Sequence, residues 1–164
     1  MKKTILLLLI LSFFSSCKAK ENKKTGALSF TLKNLNGEMV NLEDFKDKYV
    51  LIDFWATWCG PCVKAMPYIV ELYNKYGGDK FTVIGIALDN EIDVKNFVES
   101  RNIPYLILLG NNDIAMYYNV RYIPTIVLLS PDKENSKIIY KNVGFSEEEM
   151  KSLEEKIKEV SSSL

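Results

Sequence analysis

The stretch Tyr49–Pro67, YVLIDFWATWCGPCVKAMP, decides how the rest of this chain reads. Its first seven residues are apolar or β-favouring apart from one carboxylate, Asp53, the pattern of a buried parallel strand in an α/β core. A charge inside such a strand is costly and calls for a use. Trp58-Cys59-Gly60-Pro61-Cys62 follows, and then apolar residues recur at helical spacing, so Cys59 stands where a strand turns into a helix N-terminus. Amides and the helix dipole favour an anion there, hence the thiolate of an accessible Cys59, and Cys62, one turn on, is close enough to close a small ring. The two sulfurs can therefore cycle between dithiol and disulfide. Pro61 has no N–H to lose at a helix start, and Gly60 leaves room for an approaching substrate backbone.

Two other uses of a C-x-x-C pair compete with this one: half of a zinc site, and a purely structural bridge. Zinc needs further ligands, and the chain has no histidine and a single further cysteine, Cys17. The lack of histidine also excludes His-based acid–base catalysis and His triads, leaving proton handling to Asp, Glu, Lys, Tyr or Cys. No metal and no cofactor beyond the sulfur pair is expected.

At 164 residues, with 48% hydrophobic and 12% aromatic content, the chain suffices for one well-cored domain with an N-terminal appendage. Setting aside Lys2 and Lys3 of the appendage leaves 19 basic against 21 acidic side chains, no footprint of a nucleic-acid binder. Met1-Lys2-Lys3 followed by TILLLLILSFF has the basic and apolar regions of a secretory signal and is short for a membrane span. Phe14-Ser15-Ser16-Cys17 resembles a bacterial lipobox, with Phe14 where leucine is usual. Residues 1–16 are thus expected to be a lipoprotein signal, and Cys17 the lipidated residue that anchors an exported protein to a membrane, in the cell envelope and facing the periplasm in a Gram-negative cell. Ordinary cleavage with Cys17 left free is the alternative. The polar run KAKENKKT within residues 17–27 reads as a flexible tether, and residues 28–164 as the domain.

Within the domain, Leu28–Leu32 alternates as a short strand, Asn36-Gly37 signals a hairpin leading to Met39-Val40, and a turn of helix begins at Asn41 or at Glu43-Asp44. After the cysteines, Val63, Met66, Ile69, Val70, Leu72 and Tyr73 predict a helix to about Tyr76, ending at Gly77-Gly78 and kinked at Pro67. Strand Lys80–Leu88, helix Ile92–Ser100, strand Tyr105–Leu109 and a short helix Asp113–Asn119 follow. Then come strand Ile126–Leu129, a turn over Ser130–Asn135 and an edge strand Lys137–Val143. Ser146 and Glu149 form a capping box that opens a last amphipathic helix to about Val160. Lys64 lies near the start of the first helix and reads as a solvated lysine.

VLIDFWATWCGPC resembles the active-site segment of the thioredoxin superfamily almost residue for residue. The opening FTLKNLNGEMVNLEDFKDKYVLIDFWA and the additional strand–helix unit between the cysteines and the C-terminus are similar to the membrane-anchored TlpA/ResA-like branch. The resemblance implies an α/β thioredoxin-like fold: a central mixed sheet flanked by helices, an N-terminal β-hairpin extension and a central βα insertion. It implies that Ile123-Pro124-Thr125 is the cis-proline loop lying against the sulfurs, with Ile123 offering backbone groups to an extended substrate. Where thioredoxin pairs its buried aspartate with a lysine, this chain carries Gly85. Asp53 is then expected to lack a cationic partner, and desolvation to raise its pKa toward neutrality.

By the same resemblance, Cys59 attacks a disulfide in an exported protein, Cys62 resolves the mixed disulfide, and Asp53 takes the proton of Cys62 through a water. Trp58, Gly60, Pro61, Ile123 and Pro124 form the substrate platform, while Trp55 and Phe54 pack. Gly-Pro between the cysteines is thioredoxin's dipeptide and favours reduction, fed by a membrane thiol donor. Reduction of apocytochrome c thiols and of misoxidised envelope proteins are the tasks implied, carried out by a monomer. Three alternatives stand beside this: a disulfide-donating oxidant, a thiol peroxidase using Thr57, two residues before Cys59, and a lipid-anchored binding domain whose bridge is inert.

Overall fold

The computed structural model describes residues 29–131 and 136–162. The signal, Cys17 and the tether lie outside the described residues, as does most of the Ser130–Asn135 turn. Strands β1 (Thr31–Asn34) and β2 (Met39–Asn41) form an antiparallel hairpin, followed by a 3-10 turn over Leu42–Phe45. Then come β3 (Tyr49–Trp55), α1 (Gly60–Tyr76), β4 (Phe81–Ala87), α2 (Glu91–Arg101) and β5 (Leu106–Leu109). The chain closes with α3 (Asn112–Tyr117), β6 (Thr125–Leu129), β7 (Ile138–Val143) and α4 (Glu147–Ser162). Among the described residues, the seven strands join one sheet in the order β2-β1-β5-β4-β3-β6-β7. It is mixed: β3, β4 and β5 run parallel, and the remaining pairings are antiparallel.

Alternation along the strands divides the core into two layers. Leu51 and Trp55 of β3, Val83 and Ala87 of β4 and Ile107 of β5 point to one face, where α1 (Cys62, Met66, Ile69) and α4 (Leu153, Ile157) cover them. Ile52 and Phe54, Ile84 and Ile86, and Val127 and Leu129 point to the other, closed by Phe30, Leu32, Leu42, Ile114 and Tyr118. Each fully buried aliphatic or aromatic side chain stabilises the fold by about 1.5–3 kcal/mol relative to exposure. Helix α2 buries Val94 alone but lays Phe97 on Trp55, with ring centroids 5.3 Å apart.

The helices begin and end where the residues dictate. Asn90 caps α2 by accepting from the Asp93 N–H at 3.0 Å, and Asn102 ends it in the left-handed conformation that asparagine tolerates. Ser146 caps α4: its Oγ accepts from the Glu149 N–H and donates to the Glu149 carboxylate. Helix α1 runs as one element across Pro67.

The expected N-terminal hairpin and central βα unit are both present, and β5 of that unit lies inside the sheet, between β1 and β4. The first strand is corrected at both ends: Ser29 and Phe30 lie outside it, and it starts at Thr31. The first strand extends to Asn34, not Leu32, because the Asn34 side chain accepts from the N–H groups of Asn36 and Glu38 and closes the turn. The connection is therefore the four residues 35–38, in which Gly37 takes the positive φ of +85°.

Candidate active site

Strand β3 delivers the chain to the start of α1, where Cys59 is the N-cap in extended conformation and Gly60 and Pro61 open the helix. The N–H of Cys62 donates to Cys59 Sγ at 3.2 Å, so an N–H of the first helical turn, which has no intrahelical acceptor, is aimed at this sulfur. Cys59 and Cys62 are joined by a disulfide, with Cα atoms 5.2 Å apart. Cys62 is wholly buried and Cys59 is 5% exposed, so outside access to the couple is through Cys59, by a narrower opening than the sequence suggests.

The Ile123–Pro124 peptide bond is cis, as the resemblance implies. The Ile123 carbonyl oxygen lies 3.7 Å from Cys59 Sγ. The carbonyls on either side of it are engaged elsewhere: Thr125 Oγ donates to Tyr122 O at 2.6 Å and the Gly144 N–H to Pro124 O at 2.8 Å. Ile123 is thereby the residue of this loop whose carbonyl faces the sulfur. Beside it, Trp58, Leu88, Val120, Arg121, Tyr122 and Ile123 line a shallow groove. Trp58 and Tyr122 are 71% and 74% exposed, an unusual display of aromatic surface. A Cβ added at Gly60 would meet no atom within 4 Å, so the approach over the helix start is open. Trp55 and Phe54 are fully buried and pack, as expected.

Asp53 lies on the α1 face of β3, between Leu51 and Trp55, and is wholly buried. Burial pushes its carboxyl up to about 7. Its neighbour across the parallel pair is Gly85, as the sequence suggests, and among the described residues no cation lowers its carboxyl. Of the buried polar residues, Asn34 and Thr125 have hydrogen-bond partners, whereas neither carboxylate oxygen of Asp53 does.

The sequence did not reveal a tie behind the motif. Asp89, just past β4, accepts from the N–H of Thr57 at 3.2 Å and from the Thr57 hydroxyl. Burial pushes the Asp89 carboxyl up, but hydrogen bonds from the Thr57 hydroxyl and from the N–H groups of Asn90 and Thr57 outweigh it and hold the carboxyl below its ordinary value. The bond spans 32 residues, and in the sequence Asp89 shows only as a polar residue at a strand end. It also engages the hydroxyl that a peroxidase reading of Thr57 would need at the sulfur. Among the described residues, no three His, Cys, Asp or Glu side chains are grouped to hold a metal ion, and no helix is long and apolar enough to cross a membrane.

The Redoxin family model matches residues 20–157. The chain belongs to the Redoxin family. It is 34% identical over 168 aligned positions to thiol-disulfide oxidoreductase ResA of Bacillus cereus, covering 95% of this chain and 94% of that protein. It is 36% identical to the ResA of Bacillus thuringiensis subsp. konkukian, covering 82% of this chain and 76% of that protein. Among solved structures, the thioredoxin domain of a thiol-disulfide oxidoreductase from Bacteroides vulgatus matches with a TM-score of 0.69 at 31% identity, covering 79% of this chain and 92% of that one. The pneumococcal exposed lipoprotein thioredoxin of Streptococcus pneumoniae matches with a TM-score of 0.67 at 27% identity, covering 80% and 98%. Within the Redoxin family this chain is a ResA-like thiol-disulfide oxidoreductase of the thioredoxin superfamily.

Proposed function

We propose that this oxidoreductase reduces disulfides of exported proteins, with Cys59 as the attacking sulfur, Cys62 as the resolving sulfur and Asp53 as the acceptor of the Cys62 proton. The observation that carries the reading is the placement of Cys59 Sγ between the Cys62 N–H at 3.2 Å and the Ile123 carbonyl at 3.7 Å, beside an exposed aromatic groove. In the reduced enzyme, the Cys59 thiolate attacks one sulfur of the substrate disulfide, forms a mixed disulfide and expels the other substrate sulfur as a thiolate. Cys62 then gives its proton to Asp53, and its thiolate attacks Cys59 Sγ, closing the Cys59–Cys62 disulfide and releasing the second substrate thiolate. Two electrons pass to the substrate, and a membrane dithiol restores the enzyme by the reverse exchange.

A carboxyl raised to about 7 suits the middle step, since it can accept a proton at neutral pH and return it when the couple is re-reduced. Trp58 and the Ile123-Pro124 loop hold the substrate chain in extended form, with Gly60 and Pro61 forming the floor over which it passes. Residues 1–16 export the chain and Cys17 anchors it by lipid, facing the periplasm in a Gram-negative envelope, where apocytochrome c and misoxidised proteins are the substrates in view. The pneumococcal neighbour, an exposed lipoprotein, is in keeping with this placement.

The test is a trap. In the Cys62→Ser variant the mixed disulfide cannot be resolved, so envelope extracts should yield protein adducts on Cys59 that a dithiol reductant releases. Absence of such adducts, with the variant folded, contradicts the scheme.

A further inference from the structure

Among the described residues, four side-chain polar atoms are buried without a hydrogen-bond partner: Asp53 Oδ1 and Oδ2, Trp55 Nε1 and Tyr105 Oη. Two are acceptors of a carboxylate, and two are donors. They are not scattered. Asp53 and Trp55 are on the same face of β3, two residues apart, and Gly85 sits opposite Asp53 on β4. A Cβ built on Gly85 would lie 3.0 Å from Trp55 Nε1 and 3.2 Å from Tyr105 Cε2. The indole N–H and the phenol ring thus converge on the space that a side chain at position 85 would occupy. Tyr105 is 4% exposed, its ring is set edge-on against Tyr73 at 6.0 Å between centroids, and the Asp53 charge is felt at its hydroxyl.

We propose that Trp55 and Tyr105 are the positioning residues of Asp53, the indole N–H and phenol O–H serving the ionised carboxylate as the donors that take the place of a cation. The inference rests on the reading in which Asp53 takes the Cys62 proton. Glycine at 85 leaves both rings this close approach, since a Cβ there would fall 2.6 Å from Ile107 Cδ1 and press on the indole and the phenol. When Cys62 loses its proton, the proton is held on Asp53 as the neutral carboxyl. When Asp53 is ionised, the two donors keep their own protons and hydrogen-bond to it through a water that bridges the unpaired atoms. They therefore oppose the rise that burial imposes on Asp53 and keep the carboxylate populated at neutral pH.

Other groups on this layer leave that assignment unchallenged. The titratable residues packed against it are the two cysteines of the couple and the tyrosines Tyr49, Tyr68, Tyr73, Tyr76 and Tyr140, with Asp53 itself the one buried charged residue described.

The experiment is a pH titration of the oxidised protein by NMR, following the Asp53 carboxyl carbon and the Trp55 indole N–H, with Asp53→Asn assigning the signal. In the unaltered protein the Trp55 N–H resonance should move with the Asp53 midpoint, a reading that needs no variant of the cluster. In Tyr105→Phe the Asp53 midpoint should rise by about one pH unit, the effect of losing one hydrogen bond to a charged group. The acid limb of the Cys62 resolving rate should rise with it while the alkaline plateau is retained. An indole resonance indifferent to Asp53, a midpoint that is unchanged or lowered, or a rate lost equally at all pH would each overturn the proposal. Turnover separates the two readings: an active enzyme with unmoved titration fails the cluster alone, whereas activity surviving Cys59→Ser fails the function.

Discussion

Asp53 and Gly85 lie side by side on parallel strands β3 and β4, so a fully buried carboxylate has a hydrogen atom where its neighbour would carry a side chain. That pairing sets the electrostatics of the core beneath the cysteines and supports the first two predictions.

Asp53 is bound to a proton in the folded state up to about pH 7, whereas the unfolded chain releases it near 3.8. Between those values the native state holds the extra proton, so stability falls as pH rises through this window and is level above it. The difference is on the order of 4 kcal/mol at its limit. Asp53→Asn should therefore be more stable than the parent at pH 8 and lose that advantage toward pH 4, as measured by urea unfolding across pH. The same variant should slow resolution of a Cys59 mixed disulfide roughly 10²-fold, the range of general base catalysis.

Gly85→Ala should destabilise the fold by about 1–3 kcal/mol, the range for overpacking a filled core. Its Cβ would fall 2.6 Å from Ile107 Cδ1 and 3.0 Å from Trp55 Nε1. Denaturant midpoints at constant slope would show it.

Trp58→Ala should leave unfolding stability within about 0.5 kcal/mol, since the side chain is 71% exposed. The KM for a protein disulfide should rise about tenfold, as for loss of an aromatic anchor, while the rate with a small disulfide changes little. Comparing the two substrates separates docking from chemistry.

Asp89→Ala removes both hydrogen bonds that hold Thr57 one residue before the exposed Trp58. It should cost about 1–2 kcal/mol of stability at neutral pH. Because the Asp89 carboxyl is held below its ordinary value, that contribution is present above the unfolded pKa and disappears as pH falls through the folded one. Unfolding of the variant and parent at acid and neutral pH checks both statements.

Much of this arrangement is legible in the residues. The apolar run of β3, the helix spacing after Cys62 and the Ser146 cap each encode local structure, and each element appears within a residue or two of where the pattern puts it. Asp53 stands out in sequence because a charge in a buried strand is anomalous, and Gly85 because the family pattern has a lysine there. What escapes is pairing at long range. Periodicity says that Leu28–Leu32 is a strand but not that the hairpin it opens docks antiparallel on β5, and that Tyr105 starts an apolar run but not that its hydroxyl feels the Asp53 charge. The Asp89 tie to Thr57 and the groove shared by Trp58 and Tyr122 are likewise set by tertiary packing. The turn at Asn34 was missed for a smaller reason: a side chain, not the Asn36-Gly37 pair alone, closes it.

If electrons flow from Cys59 and Cys62 to the substrate, the reduction potential of that couple, measured by equilibrating the protein with glutathione, must be low. The expected value is near that of thioredoxin, about −270 mV, or lower. A value near that of the oxidant DsbA, about −120 mV, would contradict it and make the protein a donor of disulfides.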